Sequence, residues 1–195
     1  MAEGAVNNYK VVAIGGSAGS LEIVLDIIQQ LPESPGAVFI IVVHRKNDKE
    51  SILQNLISQK TGLKVVEVED KEMILPNTIY IAPADYHLLV ENESIFSLDA
   101  SDKIHFSRPS IDVTFESIAE IFRARVIGIL LSGSNADGAL GMARIKSMDG
   151  RTIAQNPETS EVGYMPQQAI KLGCVDQIVD GEKIASTLLN ELGNP

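Results

Sequence analysis

The chain has 195 residues, of which 45% are apolar and 22% are charged, a composition typical of one globular domain. Its formal net charge of −10 argues against binding to nucleic acids or insertion into anionic membranes, which both attract basic surfaces. Because Cys174 is the only cysteine and no apolar stretch is long enough to span a bilayer, we expect a cytoplasmic protein without a disulfide within the chain.

The first third of the chain alternates apolar strands with amphipathic helices. Residues 1–9 are predicted to form a short tail before a single domain over residues 10–195. Runs of β-branched and apolar residues predict buried strands at Val11–Ile14, Ala37–Val43 and Lys64–Val68. Apolar residues at helical spacing predict helices from Leu21 to Leu31 and over Ser51–Gln59.

The middle of the chain departs from this alternation, which then returns. Three short strand-like pieces predict an antiparallel excursion at one edge of the sheet: Thr78–Ala82, His87–Val90 and Ile95–Leu98. Further helices are predicted after Ser110, near Asp137–Met148, after Pro166 and from about Gly181 to Leu192, with strands at Val126–Leu131, Thr152–Gln155 and Gln177–Val179. The pattern predicts an α/β fold, a three-layer α/β/α sandwich around a doubly wound, mostly parallel sheet.

A glycine-rich turn follows the first predicted strand. Gly15-Gly16-Ser17-Ala18-Gly19 fits G-x-S-x-G, in which small neighbours allow a serine to occupy a sharp strand-to-helix turn. Such a turn places the serine hydroxyl beside free N–H groups that can stabilise an oxyanion. The pattern is also met by a serine that only caps a helix. Ser17 is therefore a candidate nucleophile.

A nucleotide-binding turn is a second interpretation of the same segment. The G-x-G-x-x-G pattern is not met, because Ser17 and Ser20 stand at its third and sixth positions counted from Gly15. The second strand ends without an acidic residue for a ribose, and no Gly-Lys-Ser/Thr follows the turn. A nucleotide-binding domain would be stabilised thermally by NAD or ATP, whereas an esterase would not.

Two further polar residues follow predicted strands. His44 comes just after the second strand, and histidine is the usual base for a serine nucleophile. Asp137 lies in the loop after Val126–Leu131, where it could orient that histidine or only cap a helix. If strand one lies between these two strands, Ser17, His44 and Asp137 meet at the carboxyl edge of the sheet.

Taken together, ordered motifs from about Val11 to Val179 make the chain resemble the catalytic domain of the CheB-type protein-glutamate methylesterases of bacterial chemotaxis. The motifs run along almost the whole chain. They are the Gly15–Gly19 turn, Val43-His44, Tyr80–His87, Arg108–Val113, Leu131–Gly133 with Asp137–Ala139, Thr152–Asn156 and Gly163–Pro166.

The resemblance implies hydrolysis of glutamate γ-methyl esters on the cytoplasmic helices of methyl-accepting chemotaxis receptors, with deamidation of receptor glutamines in many members. It implies Ser17 as nucleophile, His44 as base and Asp137 as orienting acid, with oxyanion contacts at Ala18 and Ser134 and no metal or cofactor. The receiver domain typical of the family is expected to be absent from this chain, and no oligomeric state is implied.

The sequence departs from the family pattern at two of these sites. Ala18 replaces the usual threonine after the nucleophile, and Gly133-Ser134-Asn135-Ala136 replaces the usual Gly-Met-Gly loop. A catalytically impaired interaction module with the same fold is therefore an alternative. A general α/β-hydrolase fits less well, because that fold has the order Ser, acid, His along the chain.

Overall fold

The computed structural model describes residues 9–45 and 52–193, so residues 1–8 of the predicted tail and the predicted helix start at Ser51 lie outside the described residues. Nine strands are described: β1 (Lys10–Gly16), β2 (Ala37–Val43), β3 (Lys64–Glu67), β4 (Thr78–Ile81), β5 (His87–Asn92), β6 (Ile95–Asp99), β7 (Val126–Leu130), β8 (Arg151–Gln155) and β9 (Gln177–Val179). The helices of the same residues are α1 (Leu21–Gln29), α2 (Ile52–Ser58), α3 (Ile111–Phe122), α4 (Ala139–Ser147), α5 (Tyr164–Lys171) and α6 (Ile184–Leu192).

Seven strands form one parallel sheet in the order β3-β4-β2-β1-β7-β8-β9. β1 pairs with β2 on one side and with β7 on the other, and both pairings are parallel. Every residue of β2 and β7 is buried, because helices cover both faces of the sheet. The predicted doubly wound α/β fold is confirmed.

Two apolar clusters, one on each face of the sheet, form the core. The first joins α3, α4, α5 and the β5–β6 hairpin to one face of the central strands. The second packs α1, α2 and α6 on the opposite face. Tyr9, the last residue of the predicted tail, belongs to the first cluster, and its ring centroid lies 6.1 Å from that of Phe122 in a tilted arrangement. The three layers of the predicted sandwich follow from these two clusters.

One strand of the predicted antiparallel excursion lies in the main parallel sheet. β5 and β6 do form an antiparallel pair, as a separate two-stranded sheet. The predicted strand Thr78–Ala82, by contrast, is β4, which pairs in parallel with β2 and β3 inside the main sheet. All four residues of β4 are buried, as expected for a strand covered on both faces, and a run of this length is too short to reveal that burial in the sequence.

Several element ends differ from the predicted ones. α4 begins at Ala139, so Asp137 lies in the loop before the helix. α5 begins at Tyr164, with Pro166 inside its first turn, where a missing N–H costs little. A 3₁₀ turn at Gly181–Lys183 precedes α6. None of the helices in residues 9–45 and 52–193 has the length and apolarity needed to cross a bilayer.

α3 and α4 pack closely where Gly141 of α4 faces α3. A Cβ added at Gly141 would lie 2.5 Å from Phe115 Cβ and 3.2 Å from Asp112 Cα. These atoms belong to or adjoin the α3 backbone and cannot move independently of the helix. Gly141 therefore sets how closely the two helices approach one another.

We expect Gly141→Ala to lower the free energy of unfolding by about 1–2 kcal/mol, because the steric overlap outweighs the gain of about 1 kcal/mol in helix propensity. Urea denaturation measures the difference. Gly62→Ala is the matched control, since a Cβ there would meet no atom within 4 Å, and it should change stability by less than about 0.5 kcal/mol. Equal midpoints for both variants would contradict this account of the helix contact.

Candidate active site

The loops that carry the three candidate residues meet at the carboxyl edge of the sheet. Ser17 follows β1, His44 follows β2 and Asp137 lies in the loop after β7. Because β1 lies between β2 and β7, the ends of these strands are adjacent, with Gly16 beside Val43 and Gly15 beside Leu130. The three segments, which are distant from one another along the chain, thus lie side by side at the carboxyl edge of the sheet.

The β1–α1 turn presents Ser17 at the start of α1. The Ser17 N–H donates to the Ser132 carbonyl oxygen at 2.9 Å, and the Ser20 hydroxyl donates to the Ser17 carbonyl oxygen at 2.7 Å. A Cβ at Gly16 would lie 2.5 Å from Ser20 Cβ, and Gly19 has φ +75°, so the turn requires glycine at both positions. These constraints fix the Ser17 backbone and leave its side chain half-buried at the surface of the turn.

A short hydrogen bond joins His44 to Asp137. The distance between His44 Nε2 and Asp137 Oδ2 is 2.7 Å, and the Asp137 side chain is fully buried. His44 is mostly buried, with 12% of its side chain exposed. The histidine is therefore held by a carboxylate through Nε2, and Nδ1 is the ring nitrogen left for a reacting proton.

The first turn of α3 holds the other side of the Asp137 carboxylate. The Ser110 hydroxyl and the Asp112 N–H donate to Oδ1 at 2.8 and 3.0 Å, and the Ile111 N–H donates to Oδ2 at 2.7 Å. Free N–H groups at a helix start favour an anion, and the helix dipole adds to this preference. The sequence indicated Ser110 only as the start of a helix; its contact with Asp137 comes from the packing of α3 against the β7 loop.

These hydrogen bonds decide the charge of Asp137. Burial by itself raises the pKa of the carboxyl group, but the hydrogen bonds from His44, from the two backbone N–H groups and from Ser110 together lower that pKa below its usual value. Asp137 is thus ionised at neutral pH. An ionised carboxylate at Nε2 fixes the His44 tautomer with its proton on Nε2 and Nδ1 as an acceptor.

Within the described residues, the side chain that hydrogen-bonds Nδ1 of His44 is Ser107 and not Ser17. The Ser107 hydroxyl lies 3.3 Å from Nδ1. No hydrogen bond joins the Ser17 hydroxyl to His44 in this part of the chain, although both residues line the same cavity. In serine hydrolases without substrate, such bonds are often long and tighten in the reacting complex. The position of Ser107 was not expected from the sequence.

Two cavities share the His44 side chain. The apolar cavity, of about 290 Å³, is lined by Ser17, Ala18, Leu21, Val43, His44, Arg45, Ile52, Leu53 and Leu56. The polar cavity, of about 430 Å³, is lined by His44, Arg45, Asp85, Lys103, Phe106, Ser107 and Arg108. His44 thus borders both the cavity of the candidate nucleophile and a cavity lined by charged side chains.

The two predicted oxyanion contacts differ in their surroundings. Ala18 lines the apolar cavity beside Ser17, and no hydrogen bond among residues 9–45 and 52–193 uses its N–H group. The Ser134 N–H is also without a partner among these residues, but Ser134 lines neither of the two cavities. The geometry beside the nucleophile therefore favours Ala18 as the donor.

Comparison with known proteins identifies the family of this chain. A family model described as CheB methylesterase matches residues 12–188. The chain is 37% identical over 182 residues to a putative protein-glutamate methylesterase/protein-glutamine glutaminase of Leptospira interrogans, covering 93% of this chain and 94% of that protein. The chain belongs to the CheB methylesterase family.

Other members show the same relationship. The chain is 34% identical to the protein-glutamate methylesterase FrzG of Myxococcus xanthus, covering 93% of this chain and 54% of that protein. The crystal structure of the Thermotoga maritima CheB methylesterase catalytic domain superposes with a TM-score of 0.88 at 34% identity, covering 94% of this chain and 99% of that one. The chain is thus a methylesterase-type hydrolase that spans about half the length of some relatives and nearly all of others.

A second buried carboxylate lies beside the Asp137 site of this methylesterase. Asp112 is almost fully buried; Oδ1 accepts from the Gly141 N–H at 2.7 Å, and Oδ2 lies 3.6 Å from His105 Nε2. Burial and the nearby Asp137 charge raise its pKa to about 6, although the Gly141 hydrogen bond opposes the shift. Within the described residues, Oδ2 has no hydrogen-bond partner. Asp112 therefore takes up a proton in mildly acidic solution while Asp137 stays ionised.

This raised pKa makes stability depend on pH. The folded state binds the Asp112 proton more tightly than the unfolded state, so this group's contribution to the free energy of unfolding falls as pH rises from about 4 to about 7. The Asp112→Asn protein lacks this titrating group. We therefore expect its free energy of unfolding, minus that of the wild type, to increase by on the order of 2 kcal/mol between pH 4 and pH 7. Urea denaturation at pH 4, 5, 6 and 7 measures it. A stability difference that does not change with pH would contradict the assignment.

Removal of the Ser110 hydroxyl tests how α3 holds Asp137. We expect Ser110→Ala to lower stability by about 1–2 kcal/mol, because a buried carboxylate loses a donor and the helix loses its cap. Urea denaturation measures this difference in the free energy of unfolding. Ser110→Thr, which keeps the hydroxyl, should recover most of the loss, and Ser186→Ala, at an exposed serine, should have no effect. Equal stability of the Ser110→Ala and Ser186→Ala proteins would contradict this role.

Proposed function

We propose that this methylesterase hydrolyses glutamate γ-methyl esters on methyl-accepting chemotaxis receptors, with Ser17 as nucleophile, His44 as general base and Asp137 as orienting acid. The observation that carries the proposal is the 2.7 Å bond between His44 and an ionised, buried Asp137, at the strand end next to that of Ser17. The names of the relatives from Leptospira and Myxococcus support glutamate methyl esters as the substrate class.

The proposed acylation uses Nδ1 of His44. The Ser17 hydroxyl turns toward Nδ1, gives up its proton and attacks the ester carbonyl carbon. Asp137 stabilises the positive charge that develops on the imidazole without taking the proton itself. Collapse of the tetrahedral intermediate breaks the bond to the methoxy group, which leaves as methanol with the proton from Nδ1. Water then cleaves the acyl-enzyme and leaves a glutamate side chain.

The oxyanion of the intermediate needs donors beside Ser17. The Ala18 N–H precedes the start of α1 and lines the apolar cavity, so it is the donor that we propose first. A backbone N–H requires no hydroxyl on the side chain, and alanine can therefore replace threonine at this position. We propose Ser134 as the second donor on the family resemblance, from a loop that would move toward the substrate.

The apolar cavity supports a substrate presented on a protein surface. Leu21, Ile52 and Leu56 line it and are partly exposed, so they can contact aliphatic parts of a receptor helix beside the ester. Deamidation of receptor glutamines would follow the same steps with ammonia as the leaving group. Receptor helices with methylated glutamates lie in the cytoplasm, which is the location that we propose for this protein.

The triad is tested by methanol release from methylated chemoreceptor fragments. We expect Ser17→Ala and His44→Ala to lower turnover by on the order of 10⁵–10⁶-fold and Asp137→Asn by about 10⁴-fold, by analogy with other serine hydrolases. Ser186→Ala should be as active as the wild type. Labelling of Ser17 by a fluorophosphonate reports the nucleophile independently of the substrate.

Failure of the wild type would change the proposal. A folded wild-type protein that releases no methanol and does not react with the fluorophosphonate would favour the alternative, an interaction module that keeps the methylesterase fold. Full activity of the Ser17→Ala protein would contradict the triad while leaving the family membership intact.

A further inference from the structure

A tight turn with an uncommon backbone presents Ser107 to His44. Ile104 and Ser107 exchange two backbone hydrogen bonds of 3.2 and 2.9 Å, and the two residues between them, His105 and Phe106, have φ of 48° and 62°. Glycine or asparagine is the usual choice at such positions. The Phe106 side chain is 98% exposed, so burial of that ring does not offset the strain.

Polar contacts at the base of the turn fix its position. The Asn135 amide donates to the His105 carbonyl oxygen at 3.3 Å, and Arg108 donates to the carbonyl oxygens of Ala100 and Ser101, both at 2.7 Å. A strained backbone that its surroundings hold in place is more common at functional sites than elsewhere. The turn ends at Ser107, whose hydroxyl lies beside His44.

The Ser107 hydroxyl has three polar neighbours at similar distances. It lies 3.3 Å from His44 Nδ1 and 3.4 Å from the His105 carbonyl oxygen, and it accepts from Asn135 Nδ2 at 3.4 Å. All three distances are at the long end of the hydrogen-bonding range, so a change of partner costs little. A hydroxyl can also both donate and accept. Ser107 can therefore bind a small polar molecule next to Nδ1 without losing an optimal bond.

His44 borders both cavities, whereas Ser17 and Ser107 each border one of them. Ser17 lines the apolar cavity, where the ester would bind, whereas Ser107 lines the larger polar cavity, which also borders His44. Once Ser17 carries the acyl group, its oxygen no longer bears a proton for Nδ1. Water from the polar cavity can then reach Nδ1 past Ser107.

We propose that Ser107 is a positioning residue that holds the hydrolytic water at Nδ1 of His44 during deacylation, a proposal that rests on the function proposed above. The water gives a proton to Nδ1 as its oxygen forms a bond to the acyl carbon. The bond between that carbon and Ser17 Oγ then breaks, Oγ takes the proton back from Nδ1, and the free carboxyl group leaves.

The experiment compares the two half-reactions in Ser107→Ala. With methylated receptor fragments, we expect a burst of methanol equal to the enzyme concentration, followed by turnover 10- to 100-fold below that of the wild type. Intact-mass analysis of quenched samples should show the acyl-enzyme on Ser17. Labelling by a fluorophosphonate, whose fluoride leaves without a proton, should change less than threefold. Ser107→Thr, which keeps a hydroxyl, should recover most of the turnover and lose the burst.

Other results would overturn the inference. Equal losses in labelling and in turnover, without accumulated acyl-enzyme, would assign Ser107 a purely structural role. Unchanged turnover in Ser107→Ala would exclude any role in the reaction. Failure of the wild type itself to release methanol or to be labelled would contradict the proposed function and, with it, this inference. An active wild type with no burst in Ser107→Ala would contradict the inference alone.

Discussion

The site depends on one buried anion, the carboxylate of Asp137. A fully buried charge is stable only with several hydrogen-bond donors, and Asp137 has four: His44, the Ser110 hydroxyl and two N–H groups at the start of α3. The position of α3 is set in turn by its close contact with α4 at Gly141. The orientation of the His44 ring therefore follows from helix packing as much as from the loop that carries the histidine.

Much of the fold could be predicted because the parallel strands have continuous apolar runs. β2 and β9 have the predicted bounds, and β1, β7 and β8 lie where the runs placed them. The prediction was wrong for β4, a strand of four residues. Its run is too short to reveal burial on both faces, and its place between β2 and β3 depends on a crossover that no local pattern records.

The candidate site could be predicted only in part. Ser17, His44 and Asp137 could be selected as candidates because each follows a strand that the α/β order brings to one edge. Ser107 and Asp112 could not be assigned a place there, since their contacts with His44 and Asp137 arise from an irregular turn and from the packing of a helix start. Spacing along the chain carries no information about either contact. The acidic composition of the chain also did not indicate the positively charged side chains that line the polar cavity.

The central place of β1 in the sheet has a consequence for the synthesis of the protein. Ser17 and His44 leave a ribosome long before Asp137, and β7 must pair with β1 before the carboxylate can reach the imidazole. Such pairing between distant segments is slow to form and is complete only when most of the chain is available. A nascent or truncated chain that ends before β7 would carry an unoriented histidine, so esterase activity should report that the whole domain has folded.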